Sequence, residues 1–338
     1  MLEHNPAGRL ATPGARRAPN APRRAVVDAH HHLWAASGAP VGHEGSSYGA
    51  RELLDDARER ELVASVVVEC GAMYRADGPD PLKQVGETAF AARAGSGERL
   101  CAGIVASADL ADAENLGEVL DAHAVAASGR LRGVRHTGAW DASPGIPNGR
   151  VNPPEGLYRS DEFARGFAQL SRRGLSFDAW VYHPQLPDVA ALAARFPDTL
   201  IIVNHCGGPL GAGPYAGRPE AFTQWRTGIA QLARQPNARV KLGGLGMRIG
   251  PLHARPFFTG AEELARAIRP YIEGCIEAFG ADRAMFESNF PMDRGSYSYT
   301  TIWDAFEVLS RDASEAERER LFGGTATEAY RLEASEGR

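Results

Sequence analysis

Residues 25–34 of the chain read AVVDAHHHLW, a short apolar run that ends in three histidines. The run 25–29 is suited to a strand buried on both faces. Alternate side chains of a strand point the same way, so His30 and His32 are expected to face one side and His31 the helix layer. Two imidazoles on one face of a strand end can chelate a metal ion or serve in acid–base chemistry.

Seven further apolar runs follow this first one and predict strands. They cover residues 63–69, 100–106, 131–135, 175–181, 199–204, 238–242 and 283–287. Amphipathic stretches between them predict helices at 51–61, 81–94, 110–127, 161–173, 187–195, 219–234 and 262–279, with two more at the end of the chain. Eight strands alternating with helices predict the α/β class and a (β/α)8 TIM barrel. The alternative, a doubly wound dinucleotide-binding sheet, would carry a Gly-rich turn after the first strand, and this sequence has none there.

Length and composition are typical of one globular domain with a small-molecule substrate. The 338 residues are 43% hydrophobic and 23% charged, with a formal net charge of −5, which does not favour nucleic acid or an anionic membrane. Residues 1–23, rich in Ala, Pro and Arg, are expected to be a disordered tail, and residues 24–338 the barrel. Four scattered cysteines favour a reduced, cytoplasmic location. A homodimer remains open, since barrels of this size often dimerise.

Further polar side chains are expected at the mouth of the barrel. Histidines follow the fourth, fifth and sixth predicted strands, as His136, His183 and His205. The eighth strand leads into Glu287, Asn289 and Asp293 in the segment ESNFPMD. A barrel brings the carboxyl ends of its strands together at one face, so these side chains are expected to meet the first histidine pair there.

Charged and aromatic residues at the same face are candidates for substrate binding. Arginine forks bind carboxylates in a bidentate manner, which favours an anionic substrate. Glu69 ends the second strand and is also expected to orient a ring N–H of His30 or His32. The candidates are Trp34, Glu69, Arg135, His136, Tyr182 and Arg248.

The motifs DAHHHLW, GVRH, VYH, VNHCGGP and ESNFP, in this order, resemble the amidohydrolase superfamily. They are most similar to its amidohydrolase-related (amidohydrolase 2) branch, which includes 2-pyrone-4,6-dicarboxylate lactonase and sugar-acid lactonases. The resemblance extends from about Val26 to the C-terminal helices. It implies a barrel hydrolase acting on carboxylic esters or lactones.

The resemblance also implies roles for individual residues. His30, His32, His183 and His205 take the strand-end positions of the family, and the first three are expected to hold one divalent metal ion, Zn or Mn. Asn289 stands where the family has an Asp that activates water. An amide cannot accept that proton, which leaves Asp293, Glu287 or one of the histidines as the base. The bridging Lys of strand four is missing, so a two-metal site is not expected, and a metal-independent site is the alternative.

Three functions follow from these residues. The first is opening of a lactone by an activated water at the barrel mouth. The second is metal-assisted non-oxidative decarboxylation, which related barrels perform. The third is a binding protein that has lost the strand-eight base, an interpretation that rests on Asn289.

Overall fold

The computed structural model describes residues 23–95 and 100–332. Eight strands form one sheet in which each strand pairs in parallel with the next along the chain. They are β1 (Val26–His31), β2 (Leu62–Val68), β3 (Gly103–Ser107), β4 (Leu131–Arg135), β5 (Ser176–Ala179), β6 (Ile201–Val203), β7 (Ala238–Leu242) and β8 (Ala284–Phe286). Each strand overlaps one of the predicted apolar runs.

Helices connect the strands and pack around them. In the described residues they are α1 (Ala50–Ala57), α2 (Val85–Ala94), α3 (Leu116–Ala126), α4 (Asp161–Arg172), α5 (Leu186–Arg195), α6 (Pro219–Leu232), α7 (Ala261–Phe279), α8 (Tyr299–Leu309), α9 (Glu315–Glu319) and α10 (Thr325–Ala329). The start of α4 shows how the sequence sets these bounds, because the Ser160 side chain accepts a hydrogen bond from the N–H of Phe163 and caps the helix.

Backbone hydrogen bonds join β1 to the segment after β8 and bring the two ends of the sheet together. The N–H of Asn289 donates to the carbonyl of His30 over 2.9 Å, and the N–H of His32 donates to Phe290 over 2.8 Å. The predicted (β/α)8 barrel is therefore confirmed, and the histidine segment lies directly beside the strand-eight segment.

The pairing of β1 with β2 shifts register between Asp28 and His31, as at a β-bulge. Val27 and Ala29 pack in one buried cluster with residues of the other strands, such as Val66 and Met285. Strict alternation from Val27 would bring His31, rather than its neighbours, to this side. The register shift interrupts the alternation of side chains between the two faces of β1. The His30 ring therefore points to this side instead and reaches Lys241 of β7.

The C-terminal segment closes the opposite end of the barrel. Tyr330 and Leu332, which follow α10, pack in the same buried cluster as Val66, Val105 and Met285. The Tyr330 hydroxyl reaches Asp178 of β5. The segment thus contributes directly to the barrel interior.

The predicted tail lies almost wholly outside the described residues. Its last member, Arg23, is described and forms ion pairs with Glu59 at 2.8 Å and Asp304 at 3.1 Å. In the described parts of the chain, none of the helices combines the length and apolar character needed to cross a membrane.

Candidate functional site

Three side chains meet deep in the barrel mouth: His30 at the end of β1, His205 after β6 and Glu287 after β8. Glu287 Oε1 lies 2.7 Å from His205 Nδ1, and its Oε2 lies 3.0 Å from His30 Nδ1. The rings of His30 and His205 have centroids 4.6 Å apart. All three residues are buried. We call this group the His–Glu cluster.

Local backbone features fix the His–Glu cluster. His205 has a φ of 55°, an uncommon conformation for this residue, and its N–H donates to Glu287 Oε1 over 3.1 Å. A side chain on Gly243 would overlap Glu287, and one on Gly244 would overlap the His205 ring. The loop after β7 therefore requires these two glycines for its close approach to the cluster.

Burial governs the protonation of the cluster. It lowers the pKa of His30 well below its ordinary value, with smaller contributions from Lys241 and His205. It likewise lowers the pKa of His205, with help from Arg135. Burial raises the pKa of Glu287 to about 8. The two imidazoles are therefore neutral at pH 7, the form in which histidine binds metal ions.

The His–Glu cluster suits a divalent metal ion. One ligand atom from each of His30, His205 and Glu287 lies within 4.8 Å of the others. Two ligands of one zinc ion lie no more than about 4.4 Å apart, so the observed spacing is close to that of a metal site. The Oε2 atom of Glu287 is buried and accepts no hydrogen bond from any described residue. An oxygen in this position is suited to bind a cation.

A second chain of contacts runs from His32 to Asp293. His32 Nδ1 lies 2.8 Å from the carbonyl of Val68, so this nitrogen carries a proton, and Nε2 lies 3.3 Å from Asn289 Oδ1. The Asn289 amide donates to Asp293 over 3.0 Å. Asp293 also accepts from the hydroxyl of Tyr297 and from the backbone N–H of Gly246. Asn289 thus lies between His32 and the carboxylate of Asp293.

Two arginines share one carboxylate at the edge of the mouth. Glu69 accepts a hydrogen bond from Arg135 Nε over 2.7 Å and also pairs with Arg150, from the loop after β4. Arg135 Nη1 lies 3.4 Å from His30 Nε2. Burial alone would raise the pKa of Glu69, but the charges of Arg150 and Arg135 lower it to about 2. The structure thus places Glu69 against Arg135, rather than against the rings of His30 or His32.

Lys241 and Asp178 form a buried ion pair that the sequence reasoning missed. Lys241 Nζ lies 3.3 Å from Asp178 Oδ1 and 3.2 Å from His30 Nδ1. Both are charged residues inside otherwise apolar strands, and such residues are rarely buried without a partner or a function. Their position within the predicted strands 238–242 and 175–181 is the signal that could have identified them.

The remaining predicted site residues lie apart from the His–Glu cluster or serve the surrounding loops. His183 is buried, its Nδ1 accepts from the N–H of Leu210, and its ring packs on Tyr215. His136 accepts from the N–H of Leu110. The substrate-binding role of His136 and the metal-ligand role of His183 stay predictions.

The predicted aromatic and arginine contacts also remain predictions. Trp34 is buried and donates to Ser46 over 3.2 Å, and the Tyr182 hydroxyl donates to the carbonyl of Pro147. Both rings therefore stabilise loops on this side of the barrel. Arg248 is exposed.

Comparison with known proteins identifies the family of this chain. A family model described as amidohydrolase matches residues 27–332, which is most of the chain. The chain belongs to the amidohydrolase family. The resemblance seen in the motifs is thereby confirmed, and with it the prediction of an amidohydrolase-type hydrolase.

Relatives of this amidohydrolase cover nearly its full length. An uncharacterized protein, y4mH, of Sinorhizobium fredii is 33% identical over 91% of this chain and 99% of its own. An L-fucono-1,5-lactonase of Burkholderia multivorans is 28% identical over 90% of this chain and 96% of its own. A crystal structure of a Burkholderia multivorans amidohydrolase with bound zinc is 27% identical, covers 92% of this chain and 100% of that chain, and has a TM-score of 0.71.

Proposed function

We propose that this amidohydrolase opens the ring of a small lactone by attack of water at the barrel mouth. The observation that carries the proposal is the His–Glu cluster, with the centroid of the His30 ring 4.8 Å from that of the His32 ring, where the chain of contacts to the buried carboxylate of Asp293 begins. The lactonase relative, similar over 90% of this chain, supports the same reaction class. Lactone opening needs a polarised carbonyl and a base for water, and these two groups of residues suit the two tasks.

His30, His205 and Glu287 are the proposed metal ligands. A divalent ion held there would polarise the lactone carbonyl as a Lewis acid. This ligand set replaces His32 and His183 of the sequence-based proposal by His205 and Glu287, because the structure brings these two side chains together with His30. His32 then stays in the chain of contacts with Asn289, and the two neutral imidazoles of the ligand set keep lone pairs for the ion.

Asp293 is the proposed general base. Burial raises its pKa to about 7, the value at which a base works best near neutral pH. Burial lowers the pKa of His32 well below its usual range, which makes His32 a weaker base. Asn289 cannot accept a proton, but its amide holds one oxygen of Asp293 over 3.0 Å.

The reaction then proceeds in two proton transfers. Asp293 takes a proton from the water whose oxygen attacks the carbonyl carbon. The bond between that carbon and the ring oxygen breaks, and the protonated Asp293 returns its proton to the ring oxygen as it leaves. That second transfer regenerates the Asp293 carboxylate. The product carries a carboxylic acid and a hydroxyl group on one open chain, and the acid then loses its proton to water.

The proposed substrate is a small lactone that carries a negative charge, as we predicted from the arginines at the barrel mouth. Arg135 and Arg150 place two positive charges at the edge of the mouth against the single carboxylate of Glu69, an excess of one. That excess favours a negatively charged group near the His–Glu cluster.

A ring-opening assay on sugar-acid 1,5-lactones tests the proposal. Purified full-length protein should release acid, followed with a pH indicator, and Asp293→Asn should slow kcat by about 10²- to 10⁴-fold. Asp282→Asn, at an exposed position between α7 and β8, is the matched control and should retain the wild-type rate. Release of CO2 from a carboxylated substrate without ring opening would instead support the decarboxylase alternative.

A further inference from the structure

Lys241 has an unusual position for a lysine. The chain contains only two lysines, Lys83 and Lys241, although Lys and Arg together number 37. Lys83 lies at the surface, whereas the side chain of Lys241 is wholly buried inside the barrel. A lysine presents a compact point charge, while an arginine spreads its charge over a planar fork. Lys241 thus places a concentrated positive charge beside the His–Glu cluster.

Two residues hold Lys241 in place. Asp178 Oδ1 lies 3.3 Å from Lys241 Nζ, and both oxygens of Asp178 accept hydrogen bonds from the Tyr330 hydroxyl, over 2.6 and 2.7 Å. The ammonium also lies 5.1 Å from the centroid of the Tyr330 ring, a cation–π contact. Tyr330, in the C-terminal segment, therefore holds the ion pair from the end of the barrel opposite the mouth.

The third contact of Lys241 points to the metal site. Its Nζ lies 3.2 Å from Nδ1 of His30, the nitrogen that also lies 3.0 Å from Glu287. Arg135 reaches the other ring nitrogen of His30 over 3.4 Å. A cation bound by His30 and Glu287 would therefore lie close to a fixed ammonium, and like charges at such a distance repel strongly away from bulk water.

We propose that the Lys241–Asp178 ion pair, anchored by Tyr330, sets how tightly the His–Glu cluster holds a divalent metal ion. Lys241 weakens metal binding by repulsion, and Asp178 limits this effect by neutralising part of the ammonium charge. Both act as positioning and tuning residues, since neither is proposed as a ligand. The inference rests on the proposed metal centre and adds to it a determinant of affinity.

Zinc affinity, measured by competition with a chromophoric chelator on full-length metal-stripped protein, tests this inference. The Lys241→Met/Asp178→Asn double variant removes both charges of this ion pair. It should bind zinc about 10- to 100-fold more tightly than wild type, the range found for groups around metal ligands. Asp178→Asn alone leaves the ammonium uncompensated and should bind zinc more weakly than wild type.

Matched controls separate this effect from general changes of charge or fold. Lys83→Met/Asp80→Asn removes another Lys–Asp pair, which lies at the surface, and should leave the zinc dissociation constant unchanged. Lys241→Arg keeps the positive charge and should not tighten zinc binding. Circular dichroism should show the same helix content for every variant.

Two results would overturn the inference. One is a double variant that is folded yet binds zinc no more tightly than wild type. The other is an absence of zinc binding in all variants. Ring opening of lactones, assayed on the same preparations, tests the proposed function separately, because a metal-independent lactonase would still open the ring.

Discussion

Glu287 Oε1 lies 2.7 Å from Nδ1 of His205, across the barrel mouth from the end of β6 to the end of β8. The same carboxylate approaches His30 with its other oxygen, 3.0 Å from Nδ1. One acidic side chain therefore connects the first and sixth strands of the barrel. The Asn289 amide, two residues further on, contacts His32 instead.

Removal of the Glu287 carboxylate should abolish metal binding. Protein purified without chelator is expected to contain about one zinc or manganese ion per chain, measured by elemental analysis, whereas Glu287→Gln should lose it, since the amide is a poor ligand. Glu277→Gln, at an exposed position of α7, is the control and should keep the metal. Metal-free wild type with full activity would contradict the metal-dependent mechanism and leave lactone hydrolysis intact.

The acid limb of the pH profile should report Asp293. Since a base must be deprotonated, kcat should fall as the pH drops below about 7, the raised pKa of this carboxyl group. The Tyr297 hydroxyl donates to Asp293 and opposes the rise in pKa caused by burial. Tyr297→Phe should therefore move the acid limb to higher pH. A limb at the same pH in wild type and Tyr297→Phe would remove Asp293 from the role of base.

Asn289→Asp should change the pH dependence of the proposed base, Asp293, rather than restore the arrangement that the family resemblance implies. The new carboxylate would lie about 3 Å from Asp293, where the amide now donates over 3.0 Å. Two carboxyl groups at this distance cannot both ionise easily, so the acid limb of kcat should shift upward. Asn115→Asp is a matched control, because Asn115 likewise donates to a carboxylate, that of Asp112, outside the chain of contacts from His32 to Asp293. An unchanged pH profile in Asn289→Asp would count against the proposed contact.

Glu69 should stabilise the fold at neutral pH and lose that contribution in acid. Its pKa is lowered to about 2 by the charges of Arg150 and Arg135, which outweigh burial. A group with a lowered pKa stabilises the native state above its unfolded pKa, here about 4.5, and this stability is lost as the pH falls towards 2.

Denaturant unfolding at a series of pH values measures this effect. Glu69→Gln should lower the free energy of unfolding at pH 7 by about 3–5 kcal/mol, because it leaves Arg135 buried and unpaired. It should also flatten the pH dependence between 4.5 and 2. Asp121→Asn breaks an exposed pair with Arg173 and should cost about 0–1 kcal/mol. Equal losses in the two variants would mean that Glu69 acts as a surface charge.

The strand order and the identity of the mouth residues were accessible from local patterns. Apolar runs at regular intervals predicted eight strands, because a strand buried on both faces must be apolar throughout. The barrel then required His30, His32, His205 and the strand-eight segment to lie at one face. These predictions rest on periodicity, which the sequence alone contains.

The pairing of the side chains at that face depended on the tertiary structure. Side-chain alternation among the histidines predicted that His30 and His32 share one side. Continued from Val27, the same alternation would have placed His31 there, and only the register irregularity in β1 resolves the conflict. The partners of His30, Glu287 and Lys241, are separated from it in sequence by 257 and 211 positions, respectively. Only the closed sheet brings them within about 3 Å, and burial at that point gives their charges the strength that a solvated chain would screen.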